Sequence, residues 1–132
     1  MFLYGLQPTP PVPKGFVWGR ILARDEAVST AAIMDDVAYV AISDGRLRAL
    51  RLNDGESLWT YDPGFVGYAS PVVTPDHVYH ATADGRLHIV SRSEGRLVHS
   101  LKLEGKPSGQ IVVTERAVYV RTAQPSALVA VR

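Results

Sequence analysis

Cysteine is absent from the 132-residue chain, so it can form no disulfide and offers no thiolate to a metal or a substrate. The compartment stays open between cytoplasm and periplasm, because oxidising surroundings permit disulfides without requiring them. Charge of one sign is not in excess either: 14 Lys+Arg stand against 13 Asp+Glu, for a net charge of +1. That balance gives no basic footprint for nucleic acid or an anionic membrane. With 46% hydrophobic and 20% charged residues the chain reads as a folded domain, neither disordered nor inserted in a membrane. Residues 1–6 carry no lysine or arginine and too short an apolar run for a signal peptide. Helical periodicity is missing as well, since no window holds apolar residues at i, i+3, i+4 and i+7 for long enough. Residues 21–30 are ambiguous, and Ala31-Ala32 raises only a propensity count.

What the chain does have is a repeat. Tyr39, Tyr79 and Tyr119 are spaced 40 residues apart. Around them Asp35-Asp36-Val37-Ala38-Tyr39-Val40 aligns with Pro75-Asp76-His77-Val78-Tyr79-His80 and Glu115-Arg116-Ala117-Val118-Tyr119-Val120. Asp44-Gly45-Arg46-Leu47 recurs as Asp84-Gly85-Arg86-Leu87, and Asp54-Gly55 as Glu94-Gly95, while the third copy departs to Gln124-Pro125-Ser126-Ala127-Leu128. A period near 40 with strand-like content points to propeller blades.

Each period divides into four short β-branched or alternating runs bounded by turn residues, the pattern of hairpins. In the second copy these fall near 71–74, 77–83, 86–92 and 96–101. The chain is therefore all-β, a β-propeller built from blades of four antiparallel strands in about three repeats of period 40, either partial or completed by oligomerisation. Asp84-Gly85, and by analogy Asp44-Gly45, are expected to form two-residue type I′ turns, because glycine tolerates the positive φ such turns require. A two-residue loop places Ala83 opposite Arg86, Ala81 opposite His88 and His80 opposite Ile89, so His80 and His88 should fall on opposite faces of the sheet.

The ends of the repeats carry a second pattern. Ala49-Leu50-Arg51-Leu52-Asn53-Asp54-Gly55-Glu56-Ser57-Leu58-Trp59 and Ile89-Val90-Ser91-Arg92-Ser93-Glu94-Gly95-Arg96-Leu97-Val98-His99 both follow A-L-D-A-x-T-G-K-x-x-W. The chain thereby resembles the pyrroloquinoline-quinone-type, or quinoprotein-like, β-propeller repeat family over roughly residues 15 to 132. It keeps the family's glycine in both copies. The family's aspartate is replaced by Arg51 and Ser91, its threonine by Asp54 and Glu94, and its tryptophan survives only as Trp59. The resemblance implies that Trp59 docks against the neighbouring blade, with His99 as a substitute able to donate a hydrogen bond there.

Propellers usually have about 4 to 8 blades, and this chain supplies about three periods. Gly15-Phe16-Val17-Trp18 resembles Gly55-Glu56-Ser57-Leu58-Trp59 with one residue removed. The organisation expected is a Pro-rich arm or linker over 1–14, an outer strand near 16–22, and blades near 30–61, 70–101 and 110–132. The last of these lacks an outer strand, so the chain is read as part of a longer propeller or as a half-ring completed by a homodimer. Pro8, Pro10, Pro11 and Pro13 make the arm extended. It reads as a spacer before it reads as a proline-motif ligand.

No catalytic, cofactor-binding or metal-binding residue is assigned. All four histidines, His77, His80, His88 and His99, lie in the second copy, but the expected strand faces separate them and no cysteine or convergent carboxylate completes a zinc site. They are read as half-buried strand residues. Asp35-Asp36 is an adjacent acidic pair, and it sits where turn residues are needed for local backbone hydrogen bonds. The family resemblance would also allow a fragment of a quinone-dependent dehydrogenase, which implies a calcium-held quinone, an aspartate base and, in several members, adjacent cysteines against the cofactor. This sequence has no cysteine to offer.

The reading that remains is a non-catalytic scaffold or sensor module with a protein partner. Proteins with similar repeats include lipoprotein scaffolds that assist outer-membrane protein assembly and sensor domains of bacterial serine/threonine kinases. The candidate binding surface is the inter-blade segment Tyr61-Asp62-Pro63-Gly64-Phe65-Val66-Gly67-Tyr68. Its Tyr61, Phe65 and Tyr68 are of the type enriched in interface hot spots.

Overall fold

The computed structural model describes residues 31–42, 45–65, 70–103, 105–123 and 127–131. The Pro-rich arm, the expected strand at 16–22, Trp18, Asp44, Tyr68 and the 124–126 segment lie outside them. Eleven strands are found among the described residues, in three antiparallel sheets. The first blade contains β1 (Ala32–Met34), β2 (Val37–Ala41), β3 (Leu47–Arg51) and β4 (Ser57–Tyr61). The second contains β5 (Val72–Val73), β6 (His77–Thr82), β7 (Arg86–Ser91) and β8 (Leu97–Lys102). The third contains β9 (Lys106–Val113), β10 (Val118–Ala123) and β11 (Ala127–Val131). Strands follow chain order within every sheet, so each blade is a meander of hairpins. Among the described residues no helix is long and apolar enough to cross a membrane.

Turn chemistry sets the register, and here the structure corrects the sequence reading. Asp84-Gly85 does not form a two-residue turn. Thr82 pairs with Arg86, which leaves Ala83, Asp84 and Gly85 as a three-residue loop closed by the Gly85 amide on the Thr82 carbonyl at 3.0 Å. Only Gly85 takes a positive φ there, 86°, the pattern of a type I turn followed by a left-handed residue. Gly45 of the first blade likewise takes a positive φ, 105°, with its amide 2.8 Å from the Ile42 carbonyl. The two-residue turn with positive φ at both centres is formed instead by Asp35 (51°) and Asp36 (62°), between Met34 and Val37. Adding one residue to a hairpin loop shifts the facing strand by one position and reverses its faces. His80 therefore stands directly opposite His88, on the same face of the second sheet.

A bulge recurs at one place in the first two blades. Ala49 pairs with Trp59 and Leu50 with Ser57, leaving Leu58 as the extra residue; Ile89 pairs with His99 and Val90 with Leu97, leaving Val98. Such insertions bend an edge strand and re-aim its side chains.

The core lies between blades. One cluster joins Tyr39, Ala41, Leu47 and Ala49 of the first sheet to Val78 and Val90 of the second, with Trp59, Tyr61 and Val73 packed around it. Another joins Ala81 and Leu87 of the second sheet to Ile111, Val118 and Val120 of the third. Full burial of a side chain such as Leu47 or Leu87 contributes about 1.5–3 kcal/mol, so stacking of sheets is the main source of stability.

Candidate functional site

Polar and titratable side chains converge on the seam between the first two blades, and two groups of them span it. At one end the bulge in β4 turns Trp59 towards the second blade. Its indole N–H donates to the Arg92 carbonyl at 2.9 Å. Its ring lies on Gly95, which is held at φ 71° and where any Cβ would collide with the indole. Tyr39 packs beside it at 5.8 Å between ring centroids. Arg92 completes the clasp: its guanidinium donates to the Pro75 carbonyl at 2.7 Å and to the Asp35 carboxylate at 3.0 Å. Hydrogen bonding to Tyr39, and then to Asp35, holds the Arg92 pKa above its ordinary value. A groove of about 300 Å³ opens here between Tyr39, Trp59, Pro75, Asp76 and Arg92.

At the other end the proton positions follow from the acceptors. Thr82 Oγ1 lies 2.5 Å from the Asp84 carboxylate, which only accepts, so the hydroxyl proton points there. The Thr82 oxygen then accepts from His88 Nε2–H at 3.0 Å. His88 Nδ1 is left to accept from the Tyr61 hydroxyl at 2.9 Å, across the seam. Burial lowers the His88 pKa, opposed by Asp84 and reinforced by Arg86. Burial also raises the Tyr61 pKa, with Asp62 adding to it. The phenol and the imidazole therefore both stay neutral, which fixes the direction of the chain of bonds.

His80 sits 6.4 Å from His88 between ring centroids and is fully buried. Its Nε2 lies 2.9 Å from the Gly45 carbonyl of the first blade, so Nε2 carries the hydrogen. Its Nδ1 is buried without a hydrogen-bond partner among the described residues. Burial is the main reason that its pKa falls from 6.5 to about 4, with the Gly45 carbonyl opposing and His88 adding to the shift.

These placements revise several expectations. His80 and His88 are buried seam residues, whereas His77 is half-buried and His99 exposed. Both Nε2 atoms of the buried pair face protein acceptors, and no cluster of three or more metal-ligating residues occurs among the described residues. Of the candidate binding residues, Tyr61 is half-buried with its hydroxyl on His88, Phe65 is 47% exposed, and Tyr68 lies outside the described residues. The Phe65 carbonyl rests against Gly45, where a Cβ would collide with it. Sequence reasoning anticipated the docking of Trp59 but missed the histidine pair and Arg92. A three-residue reading of Ala83-Asp84-Gly85 would have found the pair.

The profile of the outer membrane protein assembly factor BamB family matches residues 16–131 of the chain. Outer membrane protein assembly factor BamB of Shewanella oneidensis is 31% identical over 87 residues, which cover 62% of this chain and 22% of that protein. Quinohemoprotein alcohol dehydrogenase of Comamonas testosteroni is 29% identical over 113 residues, covering 76% of this chain and 16% of the relative. The crystal structure of BamB from Moraxella catarrhalis superposes with a TM-score of 0.66 at 21% identity, covering 77% of this chain and 30% of that one, a likeness of fold. The chain thus spans about a fifth of the length of the curated relatives it matches.

Proposed function

Because the chain belongs to the outer membrane protein assembly factor BamB family, whose repeats are of the quinoprotein propeller type, we propose that it is a non-catalytic propeller scaffold that binds another protein through the segment carrying Tyr61 and Phe65. One observation carries this reading. The polar groups that converge on the first seam are committed to holding blades together: Trp59 to the Arg92 carbonyl, Tyr61 to His88, and His80 to the Gly45 carbonyl. That arrangement makes a rigid platform and supplies no nucleophile or general base facing solvent. Phe65 lies beside the platform, about half accessible, on a segment braced at Tyr61 and at Gly45. A rigid aromatic on a braced loop suits a protein interface. The family description points to a partner engaged in outer-membrane protein assembly.

The test is a photo-crosslinking residue placed at position 65, with Glu115 as a control position. An adduct with an outer-membrane assembly protein at 65 and not at 115, together with at least a tenfold loss of affinity in Phe65→Ala, supports the reading; equal labelling at both positions defeats it. The dehydrogenase relative favours a second reading, a portion of a quinoprotein enzyme. Quinone with calcium would then stabilise the chain by about 2.7 kcal/mol at a hundredfold excess over Kd. We expect no melting shift.

A further inference from the structure

The two ends of the segment 61–65 are tied to two different imidazoles. Tyr61 bonds His88 directly, while the Phe65 carbonyl rests on Gly45, whose own carbonyl accepts from His80. Buried His80 thus touches, through one residue, the backbone of the most exposed aromatic on the segment. The imidazole is seated for its neutral form alone. Nε2–H is taken by Gly45, and a second proton would make Nδ1 a donor with no acceptor among the described residues, in a fully buried site. An unmet buried donor of this kind is costly, and opening to water relieves it.

The charged and titratable groups on this side of the second sheet do not offset that cost. From β7 come His88 and Arg86, both unfavourable to a further positive charge, and from β4 and its continuation come Tyr61, engaged with His88, and Asp62, beside Tyr61. Arg46 adjoins Gly45. The Asp84 carboxylate of the 83–85 turn is engaged by the Thr82 hydroxyl and lies 3.9 Å from the Arg86 guanidinium, so its charge is already shared. We propose that His80 is an acid-released latch: a proton on its Nδ1 unseats Gly45 from the second blade and frees the segment that carries Phe65. The use of that release rests on the protein-binding reading above. The release itself needs no partner.

Hydrogen exchange on the full chain between pH 7 and pH 5, corrected for intrinsic exchange, tests it. Opening at Gly45, Arg46 and 61–65 should rise on the order of tenfold, the increase that a pKa shift from 6.5 to about 4 implies over that interval, while 106–113 and 118–123 should change less than about twofold. His80→Gln keeps a donor for the Gly45 carbonyl without titrating, and its profile should be flat. Matching profiles in wild type and His80→Gln, or uniform opening of all three blades, overturn the latch. If His80→Gln does not fold, the native imidazole titration by NMR decides, with the His80 peak assigned by eliminating the others through His77→Gln, His88→Gln and His99→Gln: a midpoint near 6.5 rejects the latch and one near 4 supports it. Failure of crosslinking at position 65 with an intact pH profile would reject the binding reading alone.

Discussion

The two seams between blades use equivalent positions for different chemistry. In the first, Tyr61 opposite Leu47 reaches across to His88 opposite His80. In the second, Leu101 opposite Leu87 and Val129 opposite Val120 occupy the same places, and the contact is aliphatic. Trp59 caps the first seam with a hydrogen bond, whereas His99 at the matching position is exposed beside a cleft of about 240 Å³ and bonds nothing among the described residues. At these equivalent positions the same backbone unit is therefore joined at the first seam by directed bonds and at the second by aliphatic packing. Directed bonds fix geometry at the cost of sensitivity to protonation, while aliphatic packing has no titratable component.

The largest effect expected to break this contrast is loss of the Trp59 cap. Trp59→Ala removes the indole from Gly95 and leaves the Arg92 carbonyl without its donor, so it should cost about 3–5 kcal/mol by denaturant unfolding, the range for large aromatics. A cost below about 1 kcal/mol would show that the first seam does not depend on its cap.

Acid comes next. The His80 pKa is lowered in the folded chain, from 6.5 to about 4, so the unfolded state binds the extra proton first. Stability from this group is fully present above pH 6.5 and is lost as pH falls towards 4, by at most about 3 kcal/mol at 1.36 kcal/mol per pKa unit. Subtracting the urea-derived pH profile of His80→Gln from that of wild type isolates it. A difference of the opposite sign would mean that His80 is charged in the folded state.

Tyr61 gives a smaller and more discriminating effect. Tyr61→Phe should cost about 1 kcal/mol, because the His88 Nδ1 acceptor loses its donor. The double change Tyr61→Leu with His88→Val installs the chemistry of the second seam in the first. It should cost less than Tyr61→Phe alone, since neither member of the Tyr61–His88 bond is left unsatisfied and the Thr82 hydroxyl, which loses His88, keeps its bond to Asp84. A double variant markedly worse than the single one would show that packing at the two seams is not interchangeable.

The sequence was legible where one strand or one period carried the information. The 40-residue spacing of tyrosines, the strands at 77–83 and 86–92, and the family position of Trp59 all follow from local pattern, and the structure has strands at His77–Thr82 and Arg86–Ser91. Asp84-Gly85 misled because the dipeptide serves both two-residue and three-residue hairpins, and a slip of one position moved His88 to the wrong face. The bonds linking residue 59 to 92, 61 to 88 and 45 to 80 were out of reach for a different reason. They form between sheets, and nothing in either strand's pattern fixes how one blade is set against the next.

The smallest predicted effect is at His99. The bulge at Ile89/Val90 presents it as its counterpart presents Trp59, yet its ring is exposed and lines the rim of the second cleft with Val113, Glu115 and Arg116. Exposed side chains without bonds usually change stability by less than about 0.5 kcal/mol when truncated, so His99→Ala should be near neutral in urea unfolding. A loss above about 1 kcal/mol would show that His99 holds the second seam as Trp59 holds the first, and the contrast between directed and aliphatic seams would then be wrong.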